Sequence, residues 1–119
     1  MEDKLKLIKE VILNTAKKHN IEIDKIILFG SRARGDYRED SDWDILIVTK
    51  KKLEKDVERD FSYEIDYKLI EFLDKPVDII LVDKNYYEEK RSPVNFTIPE
   101  YISLNFDEAE RFDRGAKFV

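Results

Sequence analysis

Leu5, Ile8, Ile12 and Thr15/Ala16 recur at helical spacing among Lys and Glu residues, which predicts an amphipathic helix over 3–18. Asn20 follows it as a left-handed stop. The period then changes. Lys25 to Phe29 (KIILF) is a short apolar run ending at glycine, as a buried strand does. Residues 31–41 are polar and turn-like, and Trp43 to Thr49 (WDILIVT) predicts a second strand, half polar at its start and apolar afterwards. Helical spacing returns over 53–73, with Val57, Phe61, Ile65, Leu69 and Phe72 on one face and Pro76 as the terminator. Val77 to Val82 (VDIILV) predicts a third strand carrying one acid. Beyond Asp83 the pattern predicts one or two helical turns at 86–91, a short helix from Pro99, and a helix over 107–114 stopped by Gly115. Helix, strand, turn, strand, helix, strand implies an α/β (α+β) class: a small mixed β-sheet with helices packed on one face. With no repeat or linker in sight, residues 1–119 read as a single domain, with a core at about 25–82 and a helical, aromatic segment at 84–119.

Composition narrows the chemistry. The absence of Cys excludes disulfides, thiolate metal sites and a cysteine nucleophile, and a single histidine, His19, excludes a His-rich metal cluster. His19 reads as a helix-end cation. The net charge of −5 argues against nucleic-acid binding, which needs a basic face. No apolar run is long enough for a membrane span, so a soluble, cytoplasmic protein is expected, with no membrane partner.

Most acids lie on polar faces, but Asp42, Asp44 and Asp78 do not. Residues two apart share a face of a strand, so Asp42 and Asp44 project together while Trp43 points away. If the third strand neighbours the second, Asp78 joins them. Three ionised carboxylates at close quarters repel unless a cation compensates. Oxygen donors without His or Cys suit Mg²⁺ or Mn²⁺. Taken singly, Asp42 also fits a turn or cap, and Asp78 an ion pair with a buried base.

The first strand runs into Phe29-Gly30-Ser31-Arg32-Ala33-Arg34-Gly35. Gly30 permits a sharp turn and close backbone approach to a ligand. Ser31 fits an N-cap, and the amides after it suit phosphate oxygens. Arg32 and Arg34 are candidate donors to phosphate, or partners of surface acids. A lone Gly-Ser is an ordinary strand-to-helix turn. Here ten residues separate Ser31 from Asp42, and Asp44 follows. One strand end thus offers phosphate-binding groups and the next strand offers metal ligands, the pair of features that a nucleoside triphosphate requires.

The stretch ILFGSRARGDYREDSDWDILIV resembles the signature of the DNA polymerase β-like nucleotidyltransferase superfamily, and within it the minimal nucleotidyltransferases. Gly30, Ser31, Ala33, Arg34, Gly35, Asp36, Ser41, Asp42 and Asp44 fall on the motif, Asp78 matches the third-strand carboxylate, and Trp43 replaces a smaller aliphatic residue. The resemblance implies a palm-type mixed sheet and nucleotidyl transfer from ATP with two Mg²⁺ ions. Asp42, Asp44 and Asp78 would be the metal ligands, Asp78 also the proton acceptor, and Gly30 with Ser31 the phosphate seat. Minimal members resemble antitoxins that add AMP to a tyrosine of a HEPN-domain toxin, which implies such a toxin as partner. Transfer to a small-molecule hydroxyl, and masking of a partner without catalysis, are the alternative readings. The aromatic C-terminal third, Phe96 to Phe118, fits either a lid over the sheet or a surface for a partner or a second copy.

Overall fold

The structure, a computed structural model, describes residues 2–90 and three short strands at 101–103, 112–113 and 116–118. In chain order the elements are α1 (Glu2–Lys18), β1 (Ile23–Phe29), α2 (Ser31–Arg34), β2 (Trp43–Thr49), α3 (Lys55–Leu73), β3 (Val77–Asp83), α4 (Lys84–Lys90), β4 (Tyr101–Ser103), β5 (Phe112–Asp113) and β6 (Ala116–Phe118). One sheet runs β3-β2-β1-β4-β6-β5. β1 is antiparallel to β2, while β2 and β3 are parallel and joined through α3, as parallel neighbours require a crossover.

α1 ends as the sequence suggests. Asn20 takes φ 57°, the Asn20 amide donates to the Lys17 carbonyl, and the Ile21 amide donates to the Ala16 carbonyl at 2.8 Å. That is the double bond pattern of a Schellman stop. α1 buries Leu5, Ile8, Ile12 and Ala16. α3 buries Phe61, Ile65, Leu69 and Leu73, each four residues after the last. Leu73 therefore completes the stripe in place of Phe72, which is 56% exposed. Both stripes pack on the sheet face formed by Ile26, Leu28, Trp43, Ile45 and Ile47. The opposite face carries a smaller cluster, Ile27, Leu46 and Val48, covered by Tyr87 of α4.

The C-terminal third differs from expectation. Phe112 and Asp113 pair as β5 with β6, through Phe112↔Lys117 and Asp113↔Ala116, where a helix over 107–114 was expected. β4 extends the sheet by pairing with β1. Isolated short segments without a helical stripe gain more from backbone pairing on an open sheet edge than from local helix formation. The short helix expected from Pro99 and the side chains of the aromatic surface expected over 96–118 lie outside the described residues. No helix among the described residues is long and apolar enough to cross a membrane.

Candidate functional site

Antiparallel β1 ends where β2 begins, and parallel β3 begins beside it. The C-terminal end of β1 and the N-terminal ends of β2 and β3 therefore share one edge of the sheet. The register sets Phe29 opposite Asp44 and Asp44 opposite Asp78. Both carboxylates leave the sheet on the face away from α1 and α3, because Trp43, Ile45, Val77 and Ile79 take the helix-covered face. Asp44 is half-buried and Asp78 exposed.

Gly30 closes the other side. Its φ of 76° suits glycine, and a Cβ there would collide with the Asp44 carboxylate, whose Cγ would lie only 3.1 Å away. The glycine thus serves the turn and the close approach of Asp44 at once. Gly30 itself is the N-cap of α2, which places Ser31 at the first helical position and not at the cap. The half-buried Ser31 hydroxyl makes no hydrogen bond among the described residues, so it is not spent on capping and remains available to a ligand beside Asp44. The first amides of a helical turn also lack helical acceptors. The turn closes through Ala33 N–H to Gly30 O at 3.1 Å and Gly35 N–H to Ser31 O at 3.0 Å.

Asp42 lies on the loop that leads into β2 and is exposed. It stands outside the strand ladder, so the three carboxylates expected to converge are seen as an in-register pair, Asp44 and Asp78, with Asp42 at the loop end. The described residues contain no group of three metal-ligating side chains already drawn together. The donor set nevertheless suits a hard divalent cation. The side chains of Asp42 and Asp78 have no hydrogen bond or ion pair among the described residues, and carboxylate oxygens on the ends of adjacent strands are the donors such a cation takes.

Arg32 is not brought to this pair. It is 5% exposed, and its guanidinium bonds the Glu39 and Ser41 carbonyls against the Trp43 ring. Trp43 points to the helix-covered face, so Arg32 is turned away from the carboxylates, and its expected place at the phosphates gives way to a role in the loop. Arg34 is the last residue of α2, and its side chain lies outside the described residues. His19 is also remote: Nε2 lies 3.0 Å from Glu64 Oε1 where α1 ends beside α3. Lys68 and Lys18 reach the same carboxylate at 2.8 and 3.1 Å. Bonds from Lys68, His19 and Lys18 hold the Glu64 carboxyl down from 4.5 to about 2. The clamp made by Arg32, Tyr37 and Trp43 was not foreseen from sequence. Its only linear signal is an Arg inside the turn and a Trp between two Asp.

The family model for a nucleotidyltransferase domain matches residues 8–105. A Methanocaldococcus jannaschii protein named as a candidate protein adenylyltransferase is 39% identical over 85 residues, covering 71% of this chain and 79% of its own length. A candidate nucleotidyltransferase from Sulfolobus solfataricus is similar in structure, with 32% identity, a TM-score of 0.47, and coverage of 73% of each chain. A toxin–antitoxin complex solved with AMP-PNP is similar with 26% identity and a TM-score of 0.46; the match covers 60% of this chain and 55% of that one.

Proposed function

The chain belongs to the nucleotidyltransferase domain family, and from that footing we propose that it is a protein adenylyltransferase, moving AMP from ATP to a protein hydroxyl. The observation that carries the reading is the in-register Asp44–Asp78 pair beside the Gly30–Ser31 turn. Asp42, Asp44 and Asp78 hold Mg²⁺ in this reading. When bound, the metal supplies the positive charge that polarises the attacking hydroxyl and stabilises the leaving pyrophosphate. The Gly30 turn and the Ser31 hydroxyl bind the terminal phosphates. The acceptor oxygen forms a bond to the α-phosphorus as the bond to pyrophosphate breaks, and Asp78 takes the proton from that oxygen.

A protein acceptor is favoured because the jannaschii relative carries that name and because Asp42 and Asp78 are exposed, leaving the site open to a macromolecule. The motif's resemblance to minimal nucleotidyltransferases points further, to a tyrosine of a HEPN-domain toxin and to an antitoxin role in the cytoplasm, where ATP is plentiful. The test is incubation with α-labelled ATP, Mg²⁺ and the product of the adjacent gene. Label should appear on that partner as added mass of one or more AMP units, on tyrosine. Label found only on a small molecule would favour the small-molecule alternative. Equal neutralisation of toxicity by the Asp42→Asn/Asp44→Asn double variant would favour masking without catalysis.

A further inference from the structure

Arg32 follows Ser31 directly, yet its charge is buried. A buried guanidinium is costly unless its donors are satisfied and its faces covered. Three of its five N–H donors are bonded to carbonyls, and two aromatic rings lie against it. Nε donates to the Ser41 carbonyl at 3.2 Å, and Nη2 donates to the Glu39 and Ser41 carbonyls at 3.1 and 3.0 Å. The guanidinium carbon lies 4.2 Å from the centre of the Trp43 ring and 4.8 Å from that of Tyr37. Trp43 is fully buried, its Nε1–H has no hydrogen-bond partner among the described residues, and the cation over its face is its polar contact there. The loop is closed locally as well: the Arg38 amide donates to Ser41 Oγ at 2.8 Å, and the Ser41 amide donates to the Arg38 carbonyl at 3.1 Å.

These contacts converge on one peptide. The Ser41 carbonyl, which accepts twice from Arg32, belongs to the peptide unit whose nitrogen is that of Asp42. A peptide unit is planar, so fixing its carbonyl fixes the plane from which Asp42 departs. On the far side, Trp43 is locked in the core under the same guanidinium. Asp42 is therefore held between two residues that Arg32 immobilises, although Asp42 itself makes no hydrogen bond among the described residues. We propose that Arg32 is a positioning residue for Asp42: through the Ser41 carbonyl and the Trp43 ring it sets the direction in which the Asp42 carboxylate meets a divalent cation. The proposal rests on the reading of Asp42 as a metal ligand. A lysine cannot replace Arg32, because a compact ammonium lacks both the fork that spans two carbonyls and the plane that stacks on the rings.

The test uses the whole chain and Mn²⁺ alone as probe, with affinity read from the paramagnetic resonance of the free ion. R32K should weaken Mn²⁺ binding about tenfold, the range typical of residues that orient a metal ligand. The emission of Trp43, the one tryptophan of the chain, should shift as the stacked cation is lost. Ile65→Val, a change in the fully buried core away from the loop, should lower the melting temperature and leave Mn²⁺ affinity unaltered. In a D42N background R32K should cause no further loss. Wild-type Mn²⁺ affinity in R32K, with D42N weakened, would overturn the positioning role and leave the site reading intact. An equal loss from R32K in the D42N background would place its action elsewhere and also overturn it. Wild-type affinity in D42N would remove the metal role of Asp42, and the positioning role with it. Should Arg32 variants fail to fold, Tyr37→Leu removes only the exposed aromatic face and should cost about threefold in the same assay; no loss there would count against the clamp.

Discussion

The two faces of the β1–β3 sheet carry residues from the same strands and have opposite characters. On the helix-covered face Trp43, Ile45 and Ile47 meet α1 and α3 in a continuous apolar layer. On the other face, alternate residues of the same strands give Asp44 and Asp78 at one end and Ile27, Leu46 and Val48 under Tyr87 further along. Ile80, next on that face of β3 after Asp78, is 40% exposed. Strand alternation lets one seven-residue segment, β2, anchor the core and present a carboxylate, one residue apart. The packing of the covered face fixes the strands whose ends carry the carboxylates.

If the faces divide the work in this way, each can be damaged without the other. Phe61→Ala strikes only the covered face and should cost about 3–5 kcal/mol, the range for emptying a buried aromatic site. Denaturant unfolding reads the loss, while AMP transfer per folded molecule should hold. A fall in transfer per folded molecule would show that the faces are coupled. Asp44→Asn strikes only the open face. It should reduce transfer more than about a hundredfold, roughly 3 kcal/mol of barrier, yet keep a cooperative melt by circular dichroism. Retained activity would remove Asp44 from the chemistry.

Gly30→Ala tests the seam between the two. A side chain at φ 76°, ψ −160°, a region essentially confined to glycine, costs about 1–3 kcal/mol, and the new Cβ also displaces the Asp44 carboxylate. Stability and Mn²⁺ affinity should therefore fall together. A stability loss alone would mean that Asp44 swings aside without consequence. The smallest effect belongs to Glu64, outside both faces. Its carboxyl is held at about 2 against an ordinary 4.5 by Lys68, His19 and Lys18. A carboxylate whose pKa falls on folding adds stability that is complete above its unfolded pKa and is lost as pH drops through the folded one. Glu64→Gln should thus cost about 0.5–1 kcal/mol at neutral pH, since solvent screens much of the pairing. The difference from wild type should fade between about pH 4.5 and 2. A difference that persists at pH 2 would mean that packing of the side chain, not its charge, is responsible.

What lies within a few residues was legible in the chain. The stripes of α1 and α3, the stop at Asn20, the three core strands and the parity that separates Trp43 from Asp44 all follow from period and local sterics. So did the Gly30–Ser31 turn and its spacing to Asp42 and Asp44, because these are properties of consecutive residues. Contacts between distant segments were decided by the fold. Asp78 stands beside Asp44 because β3 pairs with β2 in that register, and a slip of one residue would have turned it into the helix layer. Phe72 was expected on the α3 stripe, but the folded helix buries Leu73 there and leaves Phe72 56% exposed. The strand pairing at 101–103, 112–113 and 116–118 has no local period to announce it, since short strands gain their hydrogen bonds from partners elsewhere in the chain. Arg32 shows the division most plainly: its sequence position beside Ser31 suggested phosphate or a surface acid, but an aromatic ring and two carbonyls brought within reach by the folded loop hold the buried guanidinium. A long side chain goes where its donors and its plane are both satisfied, and only the tertiary structure supplies that place.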